Sequence, residues 1–219
     1  MMETRMNRIF YARELMYHFL SRLYMFEVDT DLWKTLEAME VPGDCPDRDM
    51  TDGYKRIYDW VHTHTGSGDD LDILAADYAR VFLSAGVAAG RAAFPYASVY
   101  MGNRHLTMQE PAGALSALYA SEGLAVREDM FKVPEDHIGL IFEYMARLCA
   151  LARKASPHVY LKEQQTFFES FLKPWVGTFC KMIRDCSETG FYQGLARLTE
   201  GFMALEAESL GSLQNSGAL

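Results

Sequence analysis

Apolar residues recur along this chain at helical intervals. Ile9, Ala12, Met16, Phe19, Leu23 and Phe26 follow spacings of three and four, which places them on one face of a helix. Leu15, Leu20 and Tyr24 widen that face, so the helix is expected to be buried on most sides. Leu71, Leu74, Ala75, Tyr78 and Phe82 repeat the pattern behind a cap candidate at Asp70. Ile138, Ile141, Met145, Leu148 and Ala152 repeat it again, with Phe142 and Cys149 alongside. Further helices are predicted over about 31–39, 52–63, 108–122, 160–172, 175–187 and 191–209, several closed by a glycine such as Gly123, Gly190 or Gly211.

No alternating apolar and polar run is bounded by turn signals, and Asp52-Gly53 lies between polar residues rather than between two strands. The fold class is therefore all-α: a single compact domain of about nine or ten helices over residues 1–211, followed by a flexible tail at 212–219. Breaks fall at 41–46, at Gly66-Ser67-Gly68, and over a long interval from Ser84 to Thr107. That interval holds Gly86, Gly90, Pro95 and Gly102 but also Phe94, Tyr96, Val99 and Tyr100. Ordered loops of such length are uncommon and often functional. No repeat at solenoid periods is present.

Composition narrows the function classes. With 219 residues and 49% hydrophobic content, the chain can bury roughly 70% of its extended surface without disulfide or metal staples. A net charge of -9 argues against a nucleic-acid partner and against an anionic membrane surface. That charge is local: residues 1–28 sum to +1, residues 29–79 to -9, and residues 80–219 to -1. The segment from Asp29 to Asp77 is either a solvated face that keeps the protein soluble or a landing surface for a cationic peptide. Cys45, Cys149, Cys180 and Cys186 form no C-x-x-C pair, which suits a reducing compartment. No apolar core follows Met1–Arg8 in the manner of a secretory signal, and no window nears ~18 uninterrupted apolar residues. A cytoplasmic location without stable membrane insertion is expected.

Candidate chemistry centres on Val133-Pro134-Glu135-Asp136-His137. Proline at a first helical position followed by two acids suits the positive end of a helix. The same residues could present an acceptor and a titratable donor to a ligand. Consecutive helical positions point about 100° apart, so at least one of Asp136 and His137 is expected to be accessible. Ser98, Asp136 and His137 are the residue types of a hydrolase triad, yet no G-x-S-x-G elbow frames Ser98. His62 and His64 diverge by about 200° on a helix, and no H-E-x-x-H follows. No phosphate-binding glycine motif is present. No cofactor, metal ligand set or catalytic group is assigned. Trp33, Trp60 and Trp175 are read as core, and the thirteen methionines as gap-fillers that could also line an adaptable groove.

Three segments in order carry a resemblance: Asp77-Tyr78-Ala79-Arg80-Val81-Phe82-Leu83, Phe94-Pro95-Tyr96-Ala97-Ser98-Val99-Tyr100, and Pro134-Glu135-Asp136-His137-Ile138. Met108-Gln109-Glu110-Pro111, Leu118–Leu124 and Phe171-Leu172-Lys173-Pro174-Trp175 add to it. The chain resembles the TorD/DmsD family of redox-enzyme maturation chaperones, related to NarJ-type nitrate reductase chaperones. The resemblance implies an all-helical chaperone, not an enzyme, monomeric or homodimeric. Its partner would be the twin-arginine leader and body of a molybdopterin oxidoreductase of the dimethyl sulfoxide reductase type, held back from export until the cofactor is installed. By the same resemblance, Tyr96, Ser98, Tyr100, Pro134, Asp136 and His137 are the client-recognition residues, with Glu135 beside them. Paired arginines and an apolar segment call for acids and an apolar groove, so Asp136 is expected to accept from a client arginine while Tyr96 and Tyr100 border the groove. The competing readings are a small helical metal or acid-base enzyme using Asp136, His137 and Glu143, and a scaffold subunit that binds no signal peptide.

Overall fold

The computed structural model describes residues 2–43, 45–83, 85–86, 90, 92–126, 133–155 and 157–216. Ten α-helices occur among them: α1 (Met2–Met25), α2 (Thr30–Glu37), α3 (Arg48–Thr63), α4 (Gly68–Phe82), α5 (Ala97–Met101), α6 (Glu110–Ser121), α7 (Ile138–Lys154), α8 (Pro157–Phe171), α9 (Val176–Cys186) and α10 (Gly190–Ser216). The only extended pairing among the described residues is an isolated antiparallel bridge between Tyr96 and His137. The all-α class predicted from periodicity is what the structure shows. Packing groups the chain into two units that it visits alternately. Met1–Tyr24, Pro95–Trp175 and Leu210–Leu219 form the first, and Met25–Phe94 with Val176–Ser209 form the second.

In the first unit, α7 is the hydrophobic centre. Ile138, Ile141, Phe142, Met145, Leu148, Cys149 and Ala152 are fully buried, as their spacing requires. Phe142 packs against Tyr17 and Tyr24 of α1, with ring centroids 5.7 and 6.2 Å apart. The buried face of α1 keeps Met16 and Leu23 of the spaced series, together with Leu20 and Tyr24 that widen it, and shifts at its edges. Phe10, Tyr17, Leu20 and Tyr24 point inward, whereas Leu15 is half exposed and Ala12 and Phe26 lie at the surface. The aromatic series at seven-residue intervals, Phe10, Tyr17 and Tyr24, is fully buried, and its last two rings meet Phe142. Arg153 of α7 pairs with Glu14 at 2.5 Å and lies over Tyr11.

The second unit shows where much of the acidic charge goes. Asp29 caps α2 by accepting from Leu32 N, and Asp47 caps α3 by accepting from Met50 N. The cap of α4 is Ser67 rather than Asp70. Ser67 Oγ accepts from Asp70 N, while the Asp70 carboxylate returns the bond to Ser67 N, so the helix starts a turn earlier than the apolar pattern does. Asp49 and Asp52 face Arg197 and Arg56. Asp77, only 1% exposed, accepts from Arg80 at 2.6 Å and from Thr189 N at 2.7 Å, with Glu188 N at 3.2 Å. Helices α3 and α10 touch backbone to backbone: a Cβ on Gly53 would lie 2.6 Å from Leu198 Cα.

Glycine has three different uses at the predicted helix ends. Gly123, with φ +69°, follows α6 in the left-handed conformation. Gly190 opens α10 instead of closing α9, and Gly211 lies inside α10. Helix α5 lies within the interval read as loop, because five residues are too few to display a period.

Candidate functional site

The segment around Pro95 and the turn at Pro134–His137 hold each other by main-chain bonds. Ala97 N donates to Asp136 O at 3.0 Å, and Ile138 N donates to Pro95 O at 2.8 Å. The carboxylate of Asp136 adds a third link, with Oδ2 accepting from Ser98 N at 2.8 Å. Tyr96 occupies the cap position of α5 but supplies no capping side chain, so the Asp136 carboxylate, 38 residues from Ser98 in sequence, does that work. Ser98 passes the linkage on: its Oγ accepts from Gln109 N at 3.0 Å, which fixes the start of α6. One aspartate and one serine thus join α5, α6 and α7.

Asp136 and His137 are both buried, at 0% and 4% exposure, where at least one was expected to face solvent. The helical spacing argument does not apply, because α7 begins at Ile138 and Pro134–His137 is a turn closed by His137 N on Pro134 O. Pro134 is therefore not a first helical residue. His137 is the N-cap of α7: its Nδ1 accepts from Gly139 N at 3.1 Å, and its ring meets the Tyr96 ring edge-on at 5.2 Å. An accepting Nδ1 carries no proton, so the imidazole is neutral with its hydrogen on Nε2.

Burial pushes the His137 pKa down to about 3. The folded state thus resists a proton that the unfolded chain takes up below about pH 6.5. Stability from this group is complete above that pH and falls by up to about 1.4 kcal/mol per unit as the pH drops toward 3. Denaturant titrations of wild type and His137→Asn between pH 7 and 4 should show a shallower acid loss in the variant, which keeps a capping acceptor but cannot be protonated.

The residues of the enzyme-like readings are engaged in other contacts. Ser98 is fully buried, its Oγ engaged by Gln109 N, and the His137 nitrogen that is placed is a helix cap. Glu143 is paired with His18 of α1 at 3.0 Å. His62 and His64 each donate from Nδ1, to the carbonyls of Tyr58 and Trp60 respectively, and stack on those same rings. No cluster of three metal-ligating side chains occurs among the described residues.

What opens to solvent is a groove beside the turn. About 710 Å³ is lined by Met108, Ser116, Tyr119, Leu124, Pro134 and Glu135, among others. It adjoins a second cavity of about 360 Å³, with which it shares Tyr119, Leu124, Ala125 and Val126, and whose wall includes Leu140, Glu143, Tyr144 and Arg147. Glu135 is half-buried at the rim and accepts from Ser116 Oγ at 3.3 Å. The Tyr119 hydroxyl is buried without a hydrogen-bond partner among the described residues. Burial raises its pKa, and the Glu135 and Asp136 carboxylates raise it further. Met108, 74% exposed and in the left-handed region with φ 57°, stands at the groove edge.

The predicted site residues therefore divide. Pro134 and Glu135 line the groove, and Asp136, His137 and Ser98 build the support behind it. Tyr96 and Tyr100 do not line it: the first packs on His137, and the second stacks on Trp175 at 5.2 Å. Tyr119, Leu124, Tyr144 and Arg147 were not singled out as site residues, although Leu118–Leu124 belongs to the resemblance. The acidic stretch 29–79 belongs to the second unit, the groove to the first.

This arrangement can be set beside known proteins. Residues 46–181 match the family profile described as the nitrate reductase delta subunit. The chain belongs to that family. Within it, the chain is similar to proteins named chaperone protein TorD: 30% identical to that of Shewanella loihica over 92% of this chain and 94% of the relative. The TorD of Shewanella pealeana is 28% identical over 97% and 96%, and that of Vibrio vulnificus YJ016 is 24% identical over 90% and 94%. The delta-subunit and TorD relationship makes this a chaperone of the TorD/NarJ type, a binding protein and not an enzyme. Among the described residues no helix is long and apolar enough to cross a membrane.

Proposed function

We propose that this redox-enzyme maturation chaperone acts in the cytoplasm on the precursor of a molybdopterin-containing oxidoreductase of the dimethyl sulfoxide reductase type. It would bind the twin-arginine leader and part of the enzyme body, and delay export until the cofactor is in place. The observation that carries this reading is the groove, whose two adjoining parts are lined by the apolar Leu124, Val126 and Leu140 and by the carboxylates of Glu135 and Glu143. An arginine pair followed by an apolar run has the complementary chemistry: guanidinium groups for the acids, aliphatic side chains for the walls. Glu135 is the acid that meets the client in this reading, and Asp136 and His137 hold the turn that presents it.

Co-expression tests the assignment. Tagged chaperone should retain an oxidoreductase precursor that still carries its Arg-Arg leader, and should retain much less of the same enzyme with the leader deleted. Equal recovery of the leaderless form would instead support a scaffold role.

A further inference from the structure

Behind the wall of the smaller cavity lies a cluster with too few protons for its geometry. Tyr144 of α7 lines the cavity, and its single hydroxyl faces two carboxylates: Glu122 at the end of α6, in close contact, and Glu163 of α8 at 3.0 Å. A phenol can donate to only one of them. Arg147, which also lines the cavity, donates to the far oxygen of Glu122 at 2.8 Å and so neutralises that residue. Glu163 is left facing an occupied hydroxyl and a second carboxylate. A proton on Glu163 would complete the network, its acid O–H donating to the phenolic oxygen while Tyr144 donates to Glu122.

We propose that Glu163 holds a proton while the groove is empty and releases it to solvent when a cationic side chain of the client enters the smaller cavity, so that client binding is proton-linked. Burial raises the Glu163 pKa, and the neighbouring Glu122 raises it further, against the lowering effects of Tyr144 and Arg147. An arriving guanidinium adds positive charge to a cluster in which, among the described residues, Glu122 and Glu163 share one arginine. The surroundings favour such coupling. Tyr144 is packed between Tyr119 and Phe167 at 5.4 and 4.5 Å, and the low local polarity strengthens charge interactions. Among the described residues the charged groups facing Glu163 are Glu122 and Arg147, and the lining of the smaller cavity adds the His18–Glu143 pair.

This inference rests on the proposed binding of a twin-arginine leader, and its test separates the two. Carboxyl-carbon NMR of the full chain, with Glu163 assigned from the Glu163→Gln variant, follows the titration without and with a synthetic peptide bearing Arg-Arg and an apolar run. In the free protein the Glu163 midpoint is expected above the ordinary value of about 4.3, and an ordinary midpoint would overturn the inference whatever the peptide does. With peptide bound, the midpoint should fall, and the affinity should tighten by at most tenfold per pH unit across the interval between the two midpoints. That dependence should disappear in Glu163→Gln and survive in His18→Gln. A peptide that binds without moving the midpoint overturns the proton link alone. A peptide that shifts no groove resonance overturns the leader-binding reading and, with it, the link.

Discussion

Replacing Asp77 with alanine is expected to destabilise the protein by about 3–5 kcal/mol, the usual cost of removing one member of a buried ion pair. The carboxylate is nearly inaccessible and gathers three donors: the Arg80 guanidinium and the main-chain amides of Glu188 and Thr189. Those amides belong to the connection between α9 and α10, so Asp77 fixes α4 to a segment more than a hundred residues away. Its loss leaves two amides without their acceptor, one of them buried, at about 1–3 kcal/mol for a buried unsatisfied group. Arg80 keeps Glu188, which limits the penalty on its side. Chemical denaturation followed by circular dichroism measures the change. A loss below about 1 kcal/mol would show that the connection holds without the carboxylate. Asp77→Asn is expected to fall between the two, since an amide oxygen can still accept from Thr189 N but cannot neutralise Arg80.

Asp77 also shows how much could be read from residues alone. It sits inside the apolar pattern of α4 and was counted as part of an acidic surface, yet the fold uses it as a buried anchor. Long amphipathic helices such as α7 were legible because their burial follows a strict period. The edges of the α1 face were not, since two overlapping apolar series share it and only one of them supplies the rings that meet Phe142. At the site, Pro134 and Glu135 could be placed by resemblance and are at the groove. The burial of Asp136 could not be foreseen, because its partner is an amide of a five-residue helix that displays no periodicity. The smaller cavity was likewise hidden, being assembled from α1, α6 and α7 with no shared motif.

The second large effect concerns binding. Glu135→Lys is expected to weaken association with an Arg-Arg leader peptide by about 1.5–3 kcal/mol, tenfold to more than a hundredfold, the range for a hydrogen bond to a charged group. Its side chain lines the groove from the turn, and among the described residues its one hydrogen bond is accepted from Ser116 Oγ at 3.3 Å, so the substitution removes a single exposed contact. Stability should change by less than about 0.5 kcal/mol. Asp136→Asn behaves differently. Its carboxylate holds Ser98 N inside the protein, so its first effect falls on the joint between α5 and α7, and any loss of affinity follows from a displaced Glu135. Comparing the two variants separates a residue that touches the client from one that positions it.

The most direct test is calorimetric titration of a peptide carrying Arg-Arg and its apolar run into the wild-type chain and into Glu135→Lys, at low and at raised salt. The groove account predicts measurable wild-type binding that weakens with salt, and at least a tenfold loss in the variant with an unchanged unfolding midpoint. Equal affinity in the two proteins would contradict it.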